Sequence, residues 1–196
     1  MMIDNIDLIK PFLMFDSEDD FYFLQILQRK KENELLNSNS RVIKNYYIKS
    51  FDRLIDQYDE IKSLCKRFNA RASLRLNKRS FEQIAFQTLK KNTDTILNKD
   101  FKSVSKNYDK ACGQFNNDKA KKWIIDVDSN DILVSRVIAA VKFCDPDNGT
   151  EKHYCILPTK NGYHLITKPF NCAQFANMRI TADIHKDNPV NLYIPC

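Results

Sequence analysis

From Phe51 to Cys65 apolar residues recur at helical spacing, and on both sides of that stretch the pattern changes to β-type runs. Phe51, Leu54, Ile55, Tyr58, Ile61, Leu64 and Cys65 mark one face of a helix over 50–68, which Ser50 can cap. Before it, 21–27 and 41–48 are rich in aromatic and β-branched residues and are separated by the turn-like Asn37-Ser38-Asn39-Ser40, so they are expected as two strands. After it, 69–76 alternates as a third, short strand. A second amphipathic helix is expected at 80–91, with Phe81, Ile84, Ala85 and Leu89 on one side. The polar stretch 92–120 is expected to hold another helical piece and a mobile connection.

The last third is patterned more sharply. A strand at 122–128 ends in acids, and a helix is expected at 131–143. Asp145-Pro146-Asp147-Asn148-Gly149 reads as a turn. Two β runs, 153–158 and 163–167, are joined by Thr159-Lys160-Asn161-Gly162 in the form of a hairpin. A short helix at 170–178 and β segments at 180–184 and 190–194 follow. The class is α+β, with a mainly antiparallel sheet flanked by helices. At 196 residues the chain suits one compact domain, divided into an N-terminal α/β module over 1–120 and a second module over 121–196.

Charge is distributed unevenly. Residues 1–40 carry 4 Lys/Arg against 8 Asp/Glu, 41–122 carry 20 against 9, and 123–196 carry 7 against 8. The module is thus basic from about residue 41, and clustered Lys and Arg gain affinity for phosphates by releasing counterions. A solvated surface gives the same composition. No apolar stretch approaches the roughly 20 residues that a membrane span needs. The acidic start, Asp4 and Asp7, is unlike a secretory leader, so an intracellular protein is expected. None of the six cysteines forms a Cys-x-x-Cys pair, so all are expected to be reduced, with Cys155 in the core.

Three short motifs bear chemistry. Asp126 and Asp128 stand two apart on a strand and leave the same face. Paired carboxylates repel unless a cation lies between them, and hard oxygen ligands suit Mg²⁺ or Mn²⁺. A strand that simply runs into an acidic turn, with Asp128 capping the next helix, reads the same way. In Pro158-Thr159-Lys160-Asn161-Gly162-Tyr163-His164, a hydroxyl, a cation and a glycine gather before a histidine on the return strand. Such a turn can grip phosphates, or be an ordinary hairpin with a cross-strand histidine. Asp183, between Ala182 and Ile184, is an acid in an otherwise apolar β run, costly to bury unless paired and harmless if it points to water.

In their order, with 36 residues from Asp128 to His164 and 19 from there to Asp183, these motifs resemble the archaeo-eukaryotic primase superfamily, above all the small primase-polymerases of phages and plasmids. The pattern there is a hydrophobic strand ending in Asp-x-Asp/Glu, a glycine-containing turn leading to His, and a hydrophobic residue followed by Asp. The resemblance covers about 120–196 and extends only loosely to the first half. It departs in having a single glycine, Gly162, in the turn and His185-Lys186-Asp187-Asn188 after the third motif.

The resemblance implies an RRM-like catalytic core and a DNA-replication nucleotidyltransferase that adds nucleotides on a DNA template. Asp126, Asp128 and Asp183 would bind two divalent metals, Mg²⁺ or Mn²⁺. His164 would meet the incoming triphosphate together with Thr159, Lys160 and Gly162. Arg71, Arg75, Lys78 and Arg79 would follow the template backbone, unless they are a solvated face. The implied partners are single-stranded DNA and nucleoside triphosphates, with a replicative helicase or another replication protein beside them and no membrane. For a phage protein the setting is the cytoplasm of a bacterial host. Two alternatives stay open: a primase-fold nucleic-acid-binding protein without turnover, and a metal-dependent nuclease. For the latter, Asp147 with adjacent Glu151 and Lys152 lacks the usual acid–spacer–lysine order.

Overall fold

A computed structural model of the chain describes residues 2–128, 132–146 and 151–196. The expected turn over 145–149 and the expected start of a helix at Asp131 fall partly or wholly outside these residues. The elements are, in order, β1 (Ile3–Asp4), α1 (Ile6–Ile9), β2 (Asp20–Arg29), β3 (Ser40–Ile48), α2 (Phe51–Phe68), β4 (Arg71–Arg75), β5 (Arg79–Ser80), α3 (Phe81–Leu97), α4 (Asn107–Gln114), β6 (Trp123–Val127), α5 (Val134–Phe143), β7 (His153–Pro158), β8 (Tyr163–Thr167), α6 (Cys172–Asn177), β9 (Asp183–His185) and β10 (Pro189–Ile194). The fold is α+β with antiparallel sheets flanked by helices. Among the described residues no helix is long and apolar enough to cross a membrane.

There are two sheets rather than one. The larger runs β1-β10-β4-β2-β3, with β5 pairing β2, and the smaller runs β7-β8-β6-β9. The last strand, β10, lies between β1 and β4, so the chain leaves the large sheet after β5 and returns to it only at residue 189. The whole small sheet is therefore an excursion from the large one.

Local signals account for most elements. Ser50 caps α2 by accepting from the Arg53 amide, and Asn69 ends it with φ 45°, a left-handed position that glycine usually takes and asparagine tolerates. Ser80 caps α3 in the same way, accepting from the Gln83 amide. Leu89 departs from expectation. Only Ile84 of α3 is buried, and Leu89, five residues on, lies well round the helix and is 64% exposed. Further along, α3 meets its neighbour through polar groups, with Asn107 donating to Asn92 and Thr95 at 2.9 Å. The six cysteines are free, and Cys155 is only partly buried, packed against the main core.

Alternation along each strand divides the interior. Tyr22, Leu24 and Ile26 of β2 face α2 and one side of the small sheet, represented by Ile124, Leu157 and Ile166. Phe21 and Phe23 face the opposite way, onto Ile84, Ala111 and Cys112 of α3 and α4. The far side of the small sheet, with Ile125, Val127 and Leu165, is covered by α5 and α6. Each fully buried side chain of this kind contributes about 1.5–3 kcal/mol, so slipping β6 by one residue would forfeit several kcal/mol on both faces. That cost fixes which way Asp126 points.

Candidate active site

Strand β6 lies between β8 and β9, antiparallel to both. Asp126 is the register partner of His164 on one side and of Asp183 on the other. Directly opposed residues of antiparallel strands project from the same face with Cβ atoms about 5 Å apart. The three chemistry-bearing side chains therefore form one rung. Their face is also that of Ile124 and Ile166, which pack toward the large sheet. Asp128, two residues past Asp126 and just beyond the strand, is exposed, as is Asp183.

The rung is partly buried. His164 is 8% exposed, and its Nε2 stands 3.3 Å from Oδ1 of Asp126. That separation is within ion-pair reach, but the ring N–H is not aligned on the oxygen, so Oδ1 has no hydrogen-bond partner. Two further buried polar atoms here also lack a partner: Nδ1 of His164 and Oγ1 of Thr159. Buried polar atoms are normally paired, and although seven other described atoms, Asn5 Oδ1, Arg75 Nε and Thr167 Oγ1 among them, are open too, here three fall on one strand pair and the turn that leads into it. The imidazole of His164 holds the Asp126 carboxyl below the ordinary aspartate range; burial opposes this, while His185 and Arg29 add attraction.

Among the described residues, no group of three or more His, Cys, Asp or Glu stands together closely enough to hold a metal ion. The structure aligns Asp126 and Asp183 but does not gather Asp128 with them into one cluster. Two opposed carboxylates, Asp126 and Asp183, remain as hard oxygen donors. Mg²⁺ is usually bound by one or two carboxylates plus substrate oxygens, and the open buried Oδ1 of Asp126 beside Asp183 supplies such a pair.

In the turn between β7 and β8, the Thr159 amide donates to the Gly162 carbonyl at 3.0 Å. Lys160 projects from the turn, 58% exposed, with Nζ 3.8 Å from Oε1 of Glu32.

The four basic residues expected to follow a template do not form an open track, because carboxylates of this chain engage each of them. Arg71 donates through Nε to both oxygens of Glu32, at 3.0 and 2.9 Å. Arg75 reaches the carbonyl oxygen and the carboxylate of Asp187. Lys78 pairs with Asp16 and Asp20. Arg79 is fully buried and donates to Cys112 O at 2.9 Å, to Asn77 O, and to Asp187 Oδ2 at 2.6 Å. Its guanidinium is an internal clamp with no face left for a phosphate.

Arg29, Glu32 and His185 escaped the sequence reading. Arg29 ends β2 and Glu32 lies just after it, so tertiary packing brings them to the small sheet from far away in sequence. The cation run Arg29-Lys30-Lys31 was a usable signal, concealed by the acidic total of residues 1–40. No family model matches the chain, and no curated protein or solved structure matches it either.

Proposed function

We propose that this protein is a metal-dependent nucleotidyltransferase of the primase-polymerase type, adding nucleotides on a DNA template. The observation that carries the reading is the single rung Asp183–Asp126–His164, with its unpartnered buried oxygen and nitrogen. In this reading the small sheet, with α5 and α6 behind it, is the catalytic core. Asp126 and Asp183, with Asp128 from the strand end, would hold divalent ions, which would supply positive charge toward phosphate oxygens during in-line transfer. His164, fixed beside Asp126, presents its remaining nitrogen to a phosphate oxygen, and Thr159 offers its free hydroxyl. Arg29, at the end of β2 in the large sheet, adds its attraction to the same Asp126 carboxylate.

A second reading, a nucleic-acid binder of the same fold without turnover, is favoured by one fact: His164 already sits against Asp126 and competes with a metal for it. The test is incorporation of labelled NTPs or dNTPs on single-stranded and primed DNA with Mg²⁺ or Mn²⁺. Asp126→Asn and Asp183→Asn are expected to lower incorporation by about a hundredfold or more while the proteins stay folded. DNA binding without incorporation, unchanged in Asp126→Asn, would establish the binder instead.

A further inference from the structure

Against the β7–β8 turn lies a pocket of about 370 Å³ whose lining includes Lys31, Glu32, Arg71, Lys160 and Cys196. Lys31 also borders a neighbouring depression of about 550 Å³ lined by Arg29 and Lys30. Among the described residues that line it, Glu32 is the only acidic side chain against the three cations Lys31, Arg71 and Lys160. Both partners of its pair with Arg71 are largely buried, 12% exposed at each side chain. Burial alone would raise the Glu32 carboxyl, but Arg71, then Lys160 and Arg29, outweigh it and hold the group below the ordinary glutamate range. Arg29, which lines the neighbouring depression, attracts Glu32 and Asp126 alike.

We propose that this pocket binds the oligophosphate group of a nucleotide, held by Arg71, Lys160 and Lys31, and that Glu32 is a resident carboxylate which the phosphate displaces. A guanidinium fork that grips a carboxylate through parallel N–H groups matches a phosphate equally well. A carboxylate brings one negative charge, whereas a di- or triphosphate brings several, so exchange favours the phosphate wherever further cations are in reach. Lys160 has that freedom. It is mostly exposed, on a turn, and its 3.8 Å approach to Glu32 is too long for a hydrogen bond. The identity of the phosphate as a nucleotide's rests on the proposed function, but the pocket's affinity for the anion needs no metal.

The test is calorimetric titration of inorganic tripolyphosphate into the whole chain in EDTA. Wild type is expected to bind, Lys160→Ala to bind at least fivefold more weakly, and Glu32→Gln at least fivefold more tightly. A purely structural Glu32 would not tighten anion binding when neutralised. Because Glu32→Gln could loosen the fold, its melting temperature is measured alongside, and Lys160→Ala, on an exposed turn, gives an independent reading. Equal affinity in Lys160→Ala and wild type overturns the proposal, as does absence of binding in both wild type and folded Glu32→Gln. Competition by a nucleoside triphosphate supports the nucleotide assignment, and competition by single-stranded oligodeoxythymidylate alone overturns it. Incorporation in the earlier assay without any tripolyphosphate binding removes this pocket only. Tripolyphosphate binding without incorporation removes the polymerase reading and leaves the pocket.

Discussion

Arg79 and His164 each meet an aspartate where the two sheets approach each other, Arg79 at 2.6 Å from Asp187 and His164 at 3.3 Å from Asp126. The Arg79 contact leaves no guanidinium nitrogen without a partner: each donates to an oxygen, and the side chain is wholly enclosed. The His164 contact is left open, with Oδ1 of Asp126 and Nδ1 of His164 unpartnered. Both look like charge pairs, yet only the second keeps capacity for a ligand. Unused valence alone is no signature, since Nε of Arg75 and Oδ1 of Asn5 are also buried and unpartnered; what sets the second contact apart is that both members of one charge pair keep an open atom.

Substitutions at the two places should therefore fail differently. Arg79→Met removes the buried donor to Oδ2 of Asp187 and to two main-chain carbonyls, leaving Asp187 only Asn77 and the longer approach of Arg75, and unfolding measurements should show a loss of about 3–5 kcal/mol. A loss below about 1 kcal/mol would erase the distinction between clamp and site. His164→Ala removes a group whose second nitrogen serves nothing in the fold. It should lower nucleotide incorporation by about a hundredfold, about 2.7 kcal/mol in the barrier, while the urea midpoint moves little. Unchanged kinetics would remove His164 from the phosphate contact.

A smaller effect concerns acid. Since Asp126 titrates below the ordinary aspartate range, the folded state favours its ionised form. That contribution is present above about pH 4, where an unfolded aspartate is also ionised, and it is lost as pH falls through the depressed value. The stability of wild type relative to Asp126→Asn should thus decline on acidification, whereas parallel curves would contradict the coupling to His164. Smallest of all is Lys44→Ala. The Lys44–Glu60 bridge is close, 2.6 Å, but its side chains are 44% and 50% exposed, so water and salt screen it. Denaturation should register a change of no more than about 0.5 kcal/mol.

These contrasts also explain what the sequence could reveal. The strand carrying Asp126 was legible from its apolar run, whereas the pairing that sets His164 opposite Asp126 is long-range and no local pattern states it. Asp183 was legible as an acid in a β run, although its strand covers 183–185 and not the expected 180–184. That run had too few apolar residues to fix its limits. The second sheet was not foreseen, because nothing local in 189–194 says that this strand pairs with β1 and β4. Long-range pairing likewise misled the reading of Arg75 and Arg79. Their carboxylate, Asp187, lies more than a hundred residues away, and a run of cations viewed without its acids looks free.

Two asparagines attach the small sheet to the large one. Asn77, buried, donates to the carbonyls of Lys122 and Lys186, the points where the chain departs and comes back. Asn5, also buried, joins Pro158 O at 3.2 Å to Asn191 O at 2.8 Å. Apolar packing of Ile124, Leu157 and Ile166 on the large sheet has no direction of its own, whereas these amide bonds do, so the two asparagines set the bearing at which one layer lies on the other.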